Sequence, residues 1–328
     1  METNKPDITL LPPPPSVFKV LIRGFNVVAS HIYLVFLPIA IDLFLWLGPH
    51  AKANSIFGPA MDLIKQNTAE LPAEMATALT EITSNFNLFS LLRTFPVGVY
   101  SLFSASLAGD SPLPERIVLA DLTPPQILWS IVLVNIIGII LGTIYFSWVS
   151  RTALVAGEKS SFPRQLLNVI ILNIGWTILF ALMYIPVIIV FFLLALVPDP
   201  FRTILGFVLM VPASWFAMFY FYSFFPLFMF RVSAWGSITV TWKIIRYGLP
   251  TLGWFSIIAL MLSQAMDYLW RSAPASSWMT SFGIFGHGFI ATGILAATFI
   301  YFVENILWVD NTLKRFNIDT QTINPANE

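Results

Sequence analysis

The chain has 328 residues, of which 57% are hydrophobic and only 10% are charged, whereas a soluble domain usually carries about 25% charged residues. Its 17 basic and 17 acidic residues cancel, so the charge indicates neither a nucleic-acid-binding surface nor an acidic solvating tail. The lack of cysteine excludes disulfides, thiolate metal sites and cysteine nucleophiles. The composition therefore predicts an all-α fold, a polytopic helical bundle in a membrane.

Six apolar runs are long enough to cross about 30 Å of hydrocarbon, which takes roughly 20 helical residues. The predicted spans are residues 29–47, 128–150, 168–197, 204–229, 252–270 and 289–309. Prolines inside these spans predict kinks and not breaks; they are Pro38, Pro186, Pro212 and Pro226. The predicted membrane domain covers residues 29–315. It follows a polar segment, 1–28, with no cleavable signal peptide, and precedes a polar tail, 316–328.

The basic residues predict the orientation, because cytoplasmic loops carry an excess of Lys and Arg. Most of the 17 basic residues fall on one side of the predicted spans: Lys5, Lys19, Arg23, Arg151, Lys159, Arg164, Arg231, Lys243, Arg246, Lys314 and Arg315. The sequence therefore predicts a multi-pass protein of the plasma (inner) membrane with both termini in the cytoplasm.

The long segment between the first two spans, residues 48–126, is predicted to be an external helical insertion. Residues 55–82 have the apolar spacing of an amphipathic helix, which Pro72 would divide. Residues 86–107 are apolar but contain Arg93 and several serines. They could form a seventh span, yet that would reverse the side of every later basic loop. A surface-lying or partly re-entrant helix is therefore favoured, followed by a loop.

Short amphipathic stretches with basic residues precede the odd-numbered spans, at residues 16–30, 161–167 and 233–247. Each predicts an interfacial helix, or elbow, with its apolar face in the acyl boundary and its cations near phosphates. In the third elbow, Trp235, Val240 and Ile244 would face lipid, and Lys243 and Arg246 would lie near headgroups. The alternative is that any loop between spans looks amphipathic.

Residues 233–253 combine a serine, small residues, a basic amphipathic helix and a glycine at the entry to a span. This pattern resembles the multi-span membrane domain found beside glycerophosphoryl diester phosphodiesterases and related uncharacterised bacterial membrane families. The resemblance extends over residues 128–315. In that enzyme family the catalytic chemistry resides in a separate soluble barrel. No polar segment here is long enough to form one, so the resemblance implies the membrane fold and not the activity.

Motifs for catalysis or metal binding are missing from the sequence. The three histidines, His31, His50 and His287, share no helical spacing, and there is no HExxH pair. The chain also lacks a phosphate-binding GxxxxGK[ST] loop and a GxSxG nucleophile elbow. We therefore predict no catalytic residue, no metal and no cofactor, and a protein that is not an enzyme.

Acidic residues inside spans are the strongest functional candidates, because a carboxylate in hydrocarbon is costly and normally faces the bundle interior. Asp42 and Asp267 lie near the predicted outer boundary, and Glu304 lies near the inner one. Arg271 follows Asp267 by one helical turn, so their side chains can meet. We predict that Asp267 and Arg271, with Asp42 and His287 as further candidates, form an outward-facing polar cluster. The cluster is either structural or a proton or ion site.

Small residues at helical spacing predict packing seams between helices. Asn135, Gly138 and Gly142 share one face of the second span, and the GxxxG spacing of the two glycines permits close approach. Gly293 and Ala297 form a similar face on the last span.

These features leave three functional classes open. The leading interpretation is a non-enzymatic membrane protein that contacts lipids, another membrane protein or a second copy of itself. The alternative is a transporter or permease for small solutes or lipids, for which broken midplane helices with paired polar groups are typical. An intramembrane enzyme would need acid, base and nucleophile at one depth, whereas the acids here lie near both faces. No nucleic-acid partner is predicted.

Overall fold

The computed structural model describes residues 13–67, 86–103, 111–114, 117–119, 122–154, 160–195 and 197–315. The described chain is mostly helical with almost no strand, which confirms the predicted all-α, polytopic helical fold. The helices are α1 Val17–Ser30, α2 Phe36–Leu47, α3 Asn54–Asn67, α4 Pro124–Ala153, α5 Phe162–Ala195, α6 Asp199–Tyr222, α7 Pro226–Met229, α8 Ala234–Trp270 and α9 Thr280–Arg315. Short 3₁₀ helices cover Ile32–Val35 and Leu88–Leu92.

Five helices of the described chain are long and apolar enough to cross a membrane. They are α4, α5, α6 together with α7, α8 and α9, and they overlap the second to sixth predicted spans. The helices Val17–Ser30 and Ile32–Leu47 are each too short alone and are long enough only as a pair, which is bent by 96°. The count is therefore five spans, or six if the bent pair is one span. Several helices are longer than predicted, because helical structure continues through the polar residues that flank each apolar run.

The chain divides into two compact units. The first unit contains Met1–Val20, Ala153–Ile257 and Thr298–Glu328, and the second contains Leu21–Thr152 and Ile258–Ala297. Both α8 and α9 contribute to each unit, since one boundary falls within each of these two helices; another falls within α1.

Glycines create the closest packing in the second unit. A Cβ on Gly24 of α1 would lie 2.6 Å from the Ala297 Cβ of α9. A Cβ on Gly293 would lie 2.2 Å from the Phe25 ring. The face formed by Gly293 and Ala297 therefore lies against α1, at distances that only glycine allows.

The segment before α4 differs from the predicted surface-lying or re-entrant helix. Within residues 86–103, the only helical structure is the short 3₁₀ helix Leu88–Leu92. The remainder is irregular but largely buried, and it packs on α4: a Cβ on Gly138 would lie 2.5 Å from the Leu92 carbonyl oxygen. Pro96 lacks an N–H donor and thereby interrupts the helical bonding that the apolar composition had suggested.

The rest of the predicted insertion is only partly described. The helix α3 begins at Asn54 and contains Pro59, whereas the predicted division at Pro72 lies outside the described residues. Two short strands occur where a loop was expected: β1 His50–Ala51 pairs in parallel with β2 Val118–Leu119.

The three predicted elbows have different outcomes. The first is a separate helix, α1, and the chain bends by 96° after it. The second does not form a separate element, because α5 runs without a break from Phe162. The third forms the start of α8, which has a non-helical residue at Gly248 (φ −115°, ψ 15°), so that two helical parts meet at a kink.

The prediction that Val240 and Ile244 of the third elbow face lipid is wrong. Their side chains are 5% and 0% exposed, so both belong to the protein interior. This face packs on the end of α6 in the first unit, where Ser237 Oγ donates to the Ser223 carbonyl at 2.5 Å. Trp235 is 72% exposed, as predicted for a residue at the interface, and Arg246 is also exposed. Lys243 is half-buried.

A hydrogen-bonded network in the first unit surrounds the kink at Gly248. Thr251 Oγ1 donates to Asn305 Oδ1 of α9 at 2.7 Å, and Tyr301 Oη donates to the Thr251 carbonyl at 3.0 Å. A Cβ on Gly248 would lie 2.6 Å from Asn305 Nδ2. The absence of a side chain at Gly248 therefore lets fully buried Asn305 reach Thr251.

We expect Gly248→Ala to lower the free energy of unfolding by about 1–3 kcal/mol, because the added methyl displaces Asn305 and breaks its bond with Thr251. Gly253→Ala is the matched control in the same helix, because a Cβ there has no neighbour within 4 Å. Denaturant unfolding in detergent micelles measures both. Equal stability of the two variants would contradict the proposed close contact.

Candidate functional site

The Asp42 carboxylate is fully buried near the end of α2. Its Oδ1 accepts hydrogen bonds from Ser101 Oγ at 2.5 Å and from the Leu102 backbone N–H at 2.9 Å. Ser101 Oγ in turn accepts a hydrogen bond from the Phe103 N–H at 3.1 Å. The irregular segment before α4 thus bonds one carboxylate oxygen. The other, Oδ2, is buried and has no hydrogen-bond partner among the described residues.

His287 lies on α9 and is 4% exposed. The distance from its Nδ1 to Asp267 Oδ1 of α8 is 2.8 Å. Its Nε2 is buried and, within the described part of the chain, has no hydrogen-bond partner. The histidine therefore joins an acidic residue on one side and presents an unpaired nitrogen on the other.

Glycines on either side of His287 allow neighbouring helices to approach α9. A Cβ on Gly286 would lie 2.6 Å from the Trp270 ring of α8. A Cβ on Gly288 would lie 3.0 Å from Ile39 Cγ1 of α2. These glycines let α2 and α8 pack closely around the histidine.

Arg271 binds the chain at the residue next to Ser101. Its Nε and Nη2 donate to the Leu102 carbonyl at 3.1 and 2.7 Å. The planar guanidinium donates two hydrogen bonds to one acceptor. The ammonium group of a lysine cannot reproduce this geometry. Since the Leu102 N–H donates to Asp42, this single residue connects a buried carboxylate with a cation on α8.

Two further ionisable residues of the segment before α4 belong to the same electrostatic environment. Burial lowers the pKa of the Arg93 guanidinium below its ordinary value, although attraction to Tyr100, Asp267 and Asp42 opposes this. Burial also raises the pKa of Tyr100 to about 12, so that its hydroxyl stays neutral at physiological pH. The cluster therefore contains the side chains of two aspartates and two arginines beside His287.

An open cleft of about 530 Å³ adjoins the cluster, and it is lined by Gln264, Asp267, Tyr268, Arg271 and Ser272. The Asp267 side chain is 17% exposed, whereas that of His287 is 5% exposed. Exposure thus decreases from the cleft through Asp267 and His287 to fully buried Asp42.

The structure brings four predicted residues together in the second unit: Asp42, Asp267, Arg271 and His287. Two details differ from the prediction. Arg271 bonds the Leu102 carbonyl and not Asp267, whose recorded ion-pair partner among the described residues is His287. His287 lies within α9 and not before the last span, because the helix begins at Thr280.

The remaining candidates lie elsewhere. Glu304 is half-buried and belongs to the first unit. Asn135 donates to the carbonyl of Ile131 in its own helix at 2.8 Å. His31 is exposed and bonds the Val27 carbonyl, while His50 is buried in β1. Across the described ranges, no three His, Asp or Glu side chains are grouped to hold a metal ion.

Sequence reasoning missed Ser101 and Leu102 as neighbours of the cluster. Arg93 and the serines that follow it did carry a signal, because polar residues inside an apolar segment need a buried partner. Their partners could not be identified, since Leu102 and Arg271 are separated by 169 residues.

Comparisons with protein-family models, curated proteins and solved structures found no match to this chain. The resemblance of residues 233–253 to the membrane domain beside glycerophosphoryl diester phosphodiesterases therefore stays a prediction, and the family of the chain is not assigned.

Proposed function

We propose that this protein is a non-enzymatic membrane transport protein whose cleft binds a small solute, or a lipid headgroup, that carries both a cationic and an anionic group. The observation that supports this most directly is an open polar cleft whose Asp267 contacts buried His287, in the same unit as the fully buried carboxylate of Asp42. A buried carboxylate among apolar helices is costly, and such groups commonly mark solute or ion paths.

The lining of the cleft determines the proposed ligand class. Asp267 offers a carboxylate to an ammonium group, and Arg271 offers a guanidinium to a phosphate or carboxylate. Gln264 and Ser272 add neutral hydrogen-bonding groups. The volume of about 530 Å³ falls within the range typical of small-ligand sites.

Transport accounts for these features better than catalysis does. The hydroxyl of Ser101 donates to Asp42 and is 3% exposed, so it is not available as a nucleophile for a ligand in the cleft. Contact with membrane lipids is compatible with transport. Many apolar side chains of α5 and α6 are exposed, among them Leu182, Ile185, Phe207 and Val211, and would face lipid or a second membrane protein.

Binding of O-phosphoethanolamine, which carries an ammonium and a phosphate, tests the proposal. We expect saturable binding to the purified protein in phosphatidylglycerol nanodiscs, measured by calorimetry. Asp267→Asn and Arg271→Gln should each weaken it by about 10- to 100-fold, because each removes a charged hydrogen bond. Asp199→Asn, in an exposed ion pair with Arg202, is the control and should bind normally.

A second arm separates the free solute from the headgroup. Nanodiscs that contain phosphatidylethanolamine should compete with the free probe if the ligand is a lipid, and should leave its affinity unchanged if it is a solute. Uptake of radiolabelled probe into proteoliposomes then distinguishes transport from binding alone. Saturable binding that Asp267→Asn and Arg271→Gln leave intact would refute the proposed site.

The proposed orientation places the N-terminus and the loop between α4 and α5 in the cytoplasm of a plasma membrane, with the cleft outside. A cysteine that reports the topology must be exposed to the thiol reagent, and Ser160 in this loop is only 3% exposed. Exposed Ser161 and Ser276 are better matched sites in this cysteine-free chain. An impermeant thiol reagent should label Ser276→Cys but not Ser161→Cys in intact cells. The reverse pattern would invert the topology.

A further inference from the structure

Two buried polar atoms without partners lie where α2 meets α9 in the second unit. They are Asp42 Oδ2 and His287 Nε2, on side chains that are fully and almost fully buried. Gly288, the residue after His287, approaches Ile39, which lies one helical turn before Asp42. Asp42 and His287 therefore lie next to the same contact between α2 and α9.

A buried polar atom without a hydrogen bond costs about 1–3 kcal/mol, so two of them in one region favour a shared partner. A water molecule satisfies this need, because it can donate to a carboxylate and either donate to or accept from an imidazole nitrogen. The other atoms of both side chains are already engaged. Asp42 Oδ1 accepts two hydrogen bonds, and His287 Nδ1 pairs with Asp267.

We propose that Asp267, His287 and Asp42 form a proton-transfer path from the cleft to the bundle interior, in which one water molecule bridges His287 Nε2 and Asp42 Oδ2. The proton is then the co-ion of transport, so this inference deepens the proposed function and rests on it in that respect. It adds a second site to the proposed function, because Asp42, the last group of the path, does not line the cleft.

The transfer balances in protons and in charge. A hydronium ion in the cleft protonates the Asp267 carboxylate, which passes that proton to His287 Nδ1. The imidazole simultaneously releases the proton on its Nε2 to the bridging water, and the water delivers one proton to Asp42 Oδ2. The imidazole begins and ends neutral, with its proton moved from Nε2 to Nδ1, and the reverse transfer restores the first tautomer. Only O–H and N–H bonds are made and broken.

The neighbouring charges make Asp42 a suitable end point. Arg93 and Tyr100 reach the cluster from the segment before α4, and Arg271 reaches it from α8. On α4, Tyr145 donates to Thr292 Oγ1 of α9 at 2.9 Å. The guanidinium groups stay charged and both tyrosines stay neutral near pH 7. The charge of the cluster therefore changes through the three residues of the path.

Infrared spectroscopy of the wild-type protein in nanodiscs tests the path without a transport assay. A carbonyl band of a protonated carboxyl group should grow as the pH is lowered, and this band should be missing in Asp42→Asn. The asparagine still accepts from Ser101 and Leu102 through its Oδ1, so folding is preserved. Asp310→Asn is the control, because Asp310 is a buried carboxylate on α9 that pairs with Lys314 and lies outside the path.

The kinetics separate a relay from a structural pair. His287→Gln can keep a hydrogen bond to Asp267, but an amide does not shuttle protons. We expect it to slow hydrogen–deuterium exchange of the Asp42 carboxyl band by about 100-fold or more. Binding of O-phosphoethanolamine in weak buffer with a pH indicator should exchange about one proton per protein, the capacity of one shared site, and none in Asp42→Asn.

The outcomes distinguish this inference from the proposed function. A carboxyl band that survives Asp42→Asn, or exchange that His287→Gln leaves fast, overturns the path. Binding of the probe without proton exchange overturns the role of the proton as co-ion while the proposed function stands. A titrating Asp42 band with slow exchange in His287→Gln, but without saturable binding of the probe, supports the path and counts against the proposed cleft ligand.

Discussion

Gly142→Ala is expected to destabilise the protein by about 1–3 kcal/mol, because the added methyl group meets backbone on the facing segment. A Cβ on Gly142 would lie 2.6 Å from Gly98 Cα, 2.7 Å from the Val97 carbonyl oxygen and 2.8 Å from Gly98 N. A backbone atom cannot rotate away as the end of a side chain can. Gly98 itself has no room to move, because a Cβ there would lie 1.8 Å from the Thr94 carbonyl oxygen.

The matched control is Gly175→Ala in α5, another glycine inside a predicted span. A Cβ at Gly175 has no neighbour within 4 Å, so this variant should be neutral or gain up to about 1 kcal/mol from the higher helix propensity of alanine. Unfolding of both variants in mixed micelles gives the difference in the free energy of unfolding. If Gly142→Ala and Gly175→Ala were equally stable, the close approach of the segment before α4 would be wrong.

The same pair of glycines shows how far sequence reasoning reached. The spacing of Gly138 and Gly142 predicts a face for close packing, and the structure places backbone against both. Spacing does not identify the partner, however. The natural expectation is a second helix, whereas the contact is made by irregular residues 92–98, whose conformation depends on Pro96 and on contacts distant in sequence.

Apolar periodicity has a related limit inside a membrane. Long apolar runs predicted the five long helices, because hydrocarbon leaves few other backbone structures available. Lipid and the protein interior are equally apolar. The pattern therefore does not show which side of a helix faces lipid and which side faces the rest of the protein. The third elbow shows this: Val240 and Ile244 are buried against protein, and Trp235 is exposed.

The sequence predicted which residues belong to the candidate site but not which of them pair with each other. Asp42, Asp267 and His287 were grouped because the predicted topology placed them near one boundary, and polar groups in hydrocarbon converge. Their pairing depends on side-chain geometry. Arg271, one turn after Asp267, could meet it on a regular helix. The Arg271 backbone N–H does bond the Asp267 carbonyl at 3.0 Å at the end of α8, but the Arg271 side chain donates to the Leu102 carbonyl instead.

The second large effect is expected at Asp42. We predict that Asp42→Leu lowers the free energy of unfolding by about 2–5 kcal/mol, because it leaves the Ser101 hydroxyl and the Leu102 N–H buried without their acceptor. Both donors lie in the described, tightly packed segment before α4, where exposure of Ser101 and Leu102 is 3% and 2%. Water therefore cannot replace the lost carboxylate without local opening of that segment.

The conservative variant separates hydrogen bonding from charge. Asp42→Asn keeps an oxygen at Oδ1 for both donors, so it should retain most of the stability even though the charge is lost. Asp310→Leu is the control for removing a buried carboxylate. Its partner Lys314 has a side chain that is 57% exposed, so water can solvate the ammonium group and the loss should stay below about 1 kcal/mol. Chemical unfolding in micelles ranks the three variants by their free energy of unfolding. Equal stability of Asp42→Leu and Asp42→Asn would mean that Ser101 and Leu102 do not depend on the carboxylate, and the proposed position of the segment over Asp42 would be wrong.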